Sequence, residues 1–253
     1  MRFASLGSGS RGNATLIEAG DTCLLVDCGF SVAETRRRLE RLGSGLDRLS
    51  AILVTHEHGD HLRGVAPLAR RLGIPLWMTD GTAAVARDTE VPVLRRFNSH
   101  RPFTIGDIRI EPFPVPHDAR EPCQFVFGDG ACRLGLLTDT GSATDHIVRS
   151  LAGCDALILE CNHDERMLAE GPYPPLLKQR VSGRYGHLSN AQAADLLGRL
   201  DAGRLQHLIA AHLSEKNNRP ALAVEALAGT LDCEAGWIQV ADQDQGFGWR
   251  DLV

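Results

Sequence analysis

Thr55-His56-Glu57-His58-Gly59-Asp60-His61 packs three imidazoles and two carboxylates into the six residues from His56 to His61. An apolar run, Ala51–Val54, precedes it and reads as a buried strand. A helical pattern over Leu62–Leu72 follows it. Neutral imidazoles crowded beside a buried strand are costly unless something binds their lone pairs. The bland alternative is a solvated polar loop. A divalent metal is the better answer, because mixed imidazole and carboxylate ligation suits zinc, iron, nickel or manganese. A chain with this run must bring a strand end, a turn and further ligands to one point.

Those further ligands stand at later strand ends. His56 and His58, two apart, suit one ion, and Asp60 with His61 suits a second. Val115-Pro116-His117-Asp118 ends one apolar run with a histidine. Leu136-Leu137-Thr138-Asp139 ends another with a carboxylate able to bridge two ions, and Ile209-Ala210-Ala211-His212 ends a third. Together they complete a two-metal hydrolytic site with positions left open for water.

Short apolar strands alternate with amphipathic helices along the rest of the chain. Leu16–Ile17 and Leu24–Asp27 read as a hairpin closed at Ala19-Gly20-Asp21. Arg101–Thr104 and Ile108–Val115 flank a tight turn at Gly106, and Cys123–Phe127 and Cys132–Leu137 flank Gly128-Asp129-Gly130. Ser31 with Glu34, and Ser189 with Gln192, fit capping boxes that open helices. The first of these helices presents Val32, Thr35, Leu39 and Leu42 on one face, with Arg36, Arg37, Arg38 and Arg41 on the outer one. No Gly/Ser/Pro linker divides the chain. The expectation is an α/β fold of layered sheets and helices, residues 1–253 forming a single domain.

Composition excludes several classes. No apolar run approaches the ~18 residues of a membrane helix. The N-terminus lacks the apolar stretch of a signal peptide, so the cytoplasm is expected. The seven cysteines are odd in number and none is spaced Cys-x-x-Cys, against a disulfide framework or a zinc knuckle. Lys and Arg total 27 against 32 Asp and Glu, a net charge of −5. That denies a strong non-specific grip on nucleic acid without excluding a phosphate-bearing substrate.

The ligand series, in this order from Asp27 to His212, resembles the metallo-β-lactamase superfamily. The resemblance implies an αβ/βα four-layer sandwich with metals at one edge. It implies that His56, His58 and His117 hold one ion, that Asp60, His61 and His212 hold the other, and that Asp139 bridges them. Asp27 then orients the ligand loop. Glu160, after a buried strand, and His187, before the helix opened by Ser189, match a pair found in tRNase Z-like phosphodiesterases. Such a carboxylate raises the basicity of its imidazole partner and fixes its tautomer. His163 lies close enough to Glu160 in sequence to support it.

The loop Gly7-Ser8-Gly9-Ser10-Arg11-Gly12-Asn13 suits either a phosphate cradle or an ordinary glycine turn. Taken with His117-Asp118-Ala119, Glu160-Cys161-Asn162-His163-Asp164 and Gly186-His187-Leu188-Ser189-Asn190, it is similar to the YycJ/WalJ branch. That resemblance implies a 5′ to 3′ DNA exonuclease that uses a hydroxide held between two divalent ions, zinc first, manganese or iron second. Asp60, Glu160 and His187 would carry the chemistry. Substrate contacts are expected from Ser8, Ser10 and Asn13, from Asn217, and from Lys178, Arg180 and Arg184 ahead of His187, with Tyr185 available to stack on a base. DNA is preferred to RNA as partner, and no membrane is expected. Only 22 positions separate His117 from Asp139 and 48 separate Asp139 from His187. No nucleic-acid-gripping arm or clamping domain fits between them, so the core itself, a homodimer or another protein must hold the substrate. The competing expectation is a small-molecule metallo-hydrolase acting on a phosphodiester, thioester or lactam.

Overall fold

The computed structural model describes residues 1–253. Two seven-stranded sheets face each other. The first runs, in spatial order, Phe247–Asp251, Arg2–Gly7, Ala14–Ala19, Thr22–Val26, Ala51–Leu53, Leu76–Thr79 and Leu94–Phe97. The second runs Gln239–Val240, His207–Ala211, Ala156–Glu160, Arg133–Leu137, Cys123–Gly128, Ile108–Pro114 and Phe103–Ile105. Each sheet is antiparallel on one side and parallel on the other.

Period-two alternation explains the layering. Leu24 and Val26 point into a 23-residue cluster between the sheets, whereas Cys23 and Leu25 point into a 16-residue cluster under the helices. Ala156 and Ile158 likewise face the central cluster, and Leu157 and Leu159 face a 20-residue cluster on the far side. A strand buried on both faces must be apolar at every position, which is why these segments read as unbroken hydrophobic runs. Helices Val32–Arg41 and Val65–Leu72 cover the first sheet with Leu39, Val65 and Leu68. Helices Asp145–Leu151, Asn190–Gly198 and Pro220–Leu231 cover the second with Ile147, Leu196 and Leu227. The result is the expected αβ/βα sandwich. No helix is long and apolar enough to cross a membrane.

Local expectations hold with instructive exceptions. The Ser189 capping box forms in full, Ser189 Oγ accepting from Gln192 N at 3.2 Å and Gln192 Oε1 from Ser189 N at 2.8 Å. At Ser31 only half of it forms, because Glu34 turns its carboxylate to Arg37 and Arg38 instead. The helix expected over Leu62–Leu72 is two, Gly59–Leu62 and Val65–Leu72. The break falls at Gly64, whose amide donates to Cys28 O at 2.7 Å, and where any Cβ would collide with Phe30 O. The chain touches the strand-end loop there, and a continuous helix could not approach so closely.

Arg38 departs furthest from its expected place on a solvated face. It is 5% exposed. Its Nη1 donates to Leu6 O at 2.7 Å and Gln243 O at 3.0 Å, its Nε to Glu34 at 2.6 Å, and its guanidinium lies 4.0 Å from the Phe30 ring centroid. It therefore clasps the end of the first strand to the C-terminal segment. Arg38→Ala leaves two buried carbonyls without donors and should cost about 2–4 kcal/mol. Arg38→Met keeps the packing on Phe30 and should cost less. Urea unfolding of both variants checks this, and wild-type midpoints for the pair would refute the clasp.

Candidate active site

The C-terminal ends of strands from both sheets converge at one edge. Val26, Leu53, Leu137, Glu160 and Ala211 end strands, and Asp27, His56, Asp139, Glu160 and His212 lie at or just beyond those ends. Asp27, Asp139 and His212 adopt φ values of 60°, 50° and 55°. Left-handed backbone is unfavourable for residues other than glycine and persists where surrounding structure enforces it, commonly at functional sites.

Asp27 organises the ligand loop. Its Oδ1 accepts from Thr55 N at 2.9 Å, and its Oδ2 accepts from Thr55 Oγ1 and from His61 Nδ1, both at 2.8 Å. With the Thr55 proton committed to Asp27, His56 Nδ1 donates to Thr55 Oγ1 at 2.9 Å. His117 Nδ1 donates to Gly186 O at 2.9 Å, and His58 Nε2 to Asp118 O at 3.2 Å. Each ring thus uses one nitrogen outward and turns the other toward the cluster.

These inner nitrogens converge. His58 Nδ1 and His117 Nε2 lie 3.2 Å apart, and the ligand atoms of these two and His56 fall within 4.8 Å of one another. Asp60 Oδ2 lies 3.4 Å from His61 Nε2 and 3.5 Å from His212 Nε2. Asp139 spans both sets: Oδ2 is 3.2 Å from His61 Nε2, while Oδ1 is 3.5 Å from His212 Nε2 and 4.0 Å from His117 Nε2. Metal–nitrogen bonds of about 2.0–2.1 Å in a tetrahedron put ligand atoms roughly 3.3 Å apart, so these spacings match coordination edges. His56 Nε2 and Asp139 Oδ2 are buried without a hydrogen-bond partner, which a bound cation would satisfy.

Electrostatics agree. Burial, helped by the neighbouring His61, drives the pKa of His56 well below its ordinary value. Burial opposes charge on His61 and His212 as well, but carboxylates outweigh it. Asp139, Asp60 and Asp27 hold His61 well above the usual range, and Asp139 with Asp60 and Glu160 pushes His212 up to about 10. Burial likewise works against the ionised forms of Asp139 and Asp60, yet the surrounding histidines hold both low. The cluster is short of positive charge. A divalent ion supplies that charge and needs the same nitrogens deprotonated, so metal and protons compete for them.

Glu160, fully buried, accepts from His187 Nδ1 at 2.7 Å through Oε1, and from Thr140 N at 2.9 Å and Leu188 N at 3.2 Å through Oε2. Burial alone would raise its pKa, but His187 outweighs this and brings it to about 2. Burial would lower the pKa of His187, and Glu160 turns the shift upward. With Nδ1 engaged, His187 has Nε2 left for chemistry. It lines a cavity of about 330 Å³ together with Asp60, Asp139 and His212.

The match to known proteins is direct. A profile of the beta-lactamase superfamily domain covers residues 22–208. The chain belongs to this superfamily. Exodeoxyribonuclease YycJ of Bacillus anthracis is 34% identical over 236 residues, 92% of this chain and 89% of its own. Exodeoxyribonuclease WalJ of Streptococcus pneumoniae is 35% identical over 237 residues, 91% of this chain and 88% of its own. The metallo-β-lactamase fold protein YhfI from Bacillus subtilis superimposes over 99% of both chains with a TM-score of 0.74 at 20% identity. The chain is a YycJ/WalJ-like superfamily member and a metal-dependent hydrolase.

The residues expected to contact substrate fare differently in this hydrolase. Ser10 lines the cavity. Ser8 and Asn13 do not: Ser8 Oγ accepts from His212 N at 2.9 Å, and Asn13 Nδ2 lies 3.2 Å from Asp60 Oδ2 and 3.0 Å from His61 Nε2. Ser8 thus holds the His212 backbone from behind, whereas Asn13 reaches the cluster-facing atoms of Asp60 and His61. Asn217 is fully buried and bonds to Ser214 Oγ. Lys178 turns away to Ala169 O, and Arg184 and Tyr185 lie outside the cavity lining. His163 is 1% exposed, with Nδ1 unpartnered, and makes no bond to Glu160. Tyr173, Asp118 and Asn162 line the cavity without having been singled out. Asn162 Nδ2 donates to His212 O at 3.0 Å. The only cue for Tyr173 was that the chain has just two tyrosines.

Chelator-stripped protein reloaded with zinc should bind two equivalents by elemental analysis, and Asp139→Ala should fall below one. Reloading should raise Tm, since ions at 100 times their Kd add about 2.7 kcal/mol. A folded wild-type protein that saturates at one equivalent refutes the paired sites.

Proposed function

We propose that the chain, as a single hydrolase domain, is a dinuclear phosphodiesterase that degrades DNA from its 5′ end. The observation that carries this is the Glu160–His187 pair, set at 2.7 Å on the cavity beside the ligand cluster. The exodeoxyribonuclease names of the YycJ and WalJ relatives support DNA over RNA. Zinc is the first choice of metal, with manganese or iron next, because the nitrogen and oxygen donors discriminate poorly among them. Seven unpaired cysteines, six of them buried, suit a reducing cytoplasm.

Divalent ions, when bound, supply Lewis acidity and neutralise charge gathering on the phosphate oxygens. His56, His58 and His117 would hold one, Asp60, His61 and His212 the other, and Asp139 both. The remaining work falls to the chain's own groups. Glu160 fixes the His187 tautomer and favours its protonated form. His187 then gives its proton to the departing alkoxide oxygen. A thiolate leaves with little need of such a donor, so the pair argues for a phosphodiester over a thioester. The cavity, about 330 Å³, also admits a small phosphodiester. End-labelled DNA and RNA, bis-p-nitrophenyl phosphate, nitrocefin and S-lactoylglutathione, assayed with metal-reconstituted protein, separate these readings. Efficient turnover of nitrocefin or the thioester with every nucleic acid left intact overturns the nuclease.

His187→Ala should retain its metal and lose about 10²–10⁴-fold in rate on DNA. Glu160→Gln should lose less, and the double variant little more than His187→Ala, because the two act as a unit. The loss should shrink on bis-p-nitrophenyl phosphate, whose leaving group barely needs a proton. Equal losses on both substrates, or loss of metal from His187→Ala, would rule out proton donation.

A further inference from the structure

The outer wall of the cavity has its own chemistry. It is built from the helix Pro175–Val181 and the loop before it, which contribute Tyr173, Leu177, Arg180 and Val181. Arg180 is the only lysine or arginine on the cavity, and Tyr173 the only tyrosine, phenylalanine or tryptophan. Arg180 Nε donates to Asp118 Oδ2 at 2.5 Å. Asp118 Oδ1 in turn lies 3.5 Å from His117 Nε2 and 3.7 Å from His58 Nε2. The guanidinium therefore stands one carboxylate away from two ligand histidines. Its side chain is 60% exposed, and its Nη nitrogens make no hydrogen bond within the chain, leaving a fork of donors for an anion. Tyr173 lines the same cavity, and Lys216 Nζ approaches within 5.9 Å of its ring centroid. Lys216 belongs to the segment that follows His212.

We propose that Tyr173 and Arg180 read the 5′-terminal nucleotide of a DNA strand, Tyr173 taking its base and Arg180 its 5′-phosphate. This deepens the nuclease reading above and rests on it. The reaction closes on the assignment. Water adds to the phosphorus of the second nucleotide, the P–O3′ bond breaks, and O3′ leaves with the proton from His187. The freed nucleotide keeps its original 5′-phosphate and gains a 3′-hydroxyl. The shortened strand carries a new 5′-phosphate, so every turnover remakes the group that Arg180 recognises. A cavity of about 330 Å³ is at the small end of ligand sites and suits one nucleotide rather than a duplex. The end must part from its complement to enter, and an aromatic ring compensates for the lost stacking.

The test uses metal-loaded full-length protein and oligonucleotides bearing a 5′-phosphate, a 5′-hydroxyl or an abasic first residue. Wild type should prefer the phosphorylated end. Arg180→Gln should lose roughly 10- to 100-fold on that end and much less on the hydroxyl end, so the preference ratio collapses. Arg180→Lys should restore part of the ratio. Tyr173→Leu should lose roughly 5- to 100-fold on intact ends and far less on abasic ones. Exposed pairs such as Arg180–Asp118 add little stability, so Tm and metal content should stay at wild-type values. DNA degradation with an unaltered end preference in Arg180→Gln, or a Tyr173→Leu loss as large on abasic ends, overturns the clamp alone. Turnover of bis-p-nitrophenyl phosphate with no DNA degradation overturns the nuclease reading, and the clamp with it.

Discussion

Asp27, Asp139 and Glu160 are withdrawn almost completely from water where the two sheets meet. An ionised carboxylate in that position costs several kcal/mol unless neighbours compensate it. Much of the local structure answers this demand. Asp27 has both oxygens bonded to Thr55 and His61, and Glu160 has both bonded to two amides and His187. Asp139 sits among His61, His117 and His212. The left-handed backbone at Asp27, Asp139 and His212 belongs to the same solution. Conformations of that kind cost of order 1–3 kcal/mol each. They are sustained because the strands before them are locked on both faces by apolar clusters.

What could be read from the sequence follows from this arrangement. Ligands that must stand at the ends of buried strands carry a local signature, an apolar run followed by a histidine or carboxylate, and His56, His117, Asp139 and His212 all show it. The side of a loop residue that faces the cavity has no such signature. Ser8 and Asn13 looked like phosphate-cradling groups, yet contacts with His212, Asp60 and His61 turn them inward. Arg38 looked solvated because helix periodicity knows nothing of Gln243, 205 residues away, whose carbonyl it binds. The pairing of Arg2–Gly7 with Phe247–Asp251 is equally remote and went unread for the same reason. Tyr185 was the natural stacking candidate because it leads into His187. The fold places Tyr173 at the cavity instead and leaves Tyr185 exposed outside its lining.

The two walls of the cavity differ in mechanical support. The inner wall stands on strands buried in the sandwich, so its groups keep their spacing. The outer helix, Pro175–Val181, has no buried residue, and Leu176 on it is 81% exposed. Few buried contacts mean low local stability, the property expected of elements that admit and release substrate. A rigid wall on one side and a yielding one on the other is a division made by burial alone.

Each sheet contributes one carboxylate that orients two histidines. From the first sheet, Asp27 bonds directly to His61 and, through Thr55, sets the tautomer of His56. From the second, Glu160 lies 2.7 Å from His187 Nδ1 and 3.5 Å from His212 Nδ1. A carboxylate behind an imidazole raises the basicity of the far nitrogen, whether that nitrogen is to face a metal or to carry a proton. At Glu160 the two uses meet in one residue on the proposed roles, with His187 as the proton carrier and His212 facing the ligand cluster. Proton donation and metal ligation are then coupled through a single buried charge. That coupling gives a physical reason for setting Glu160 at the very end of its strand, the last position the sheet can hold rigid, rather than in the loops where the other polar residues of the site are found.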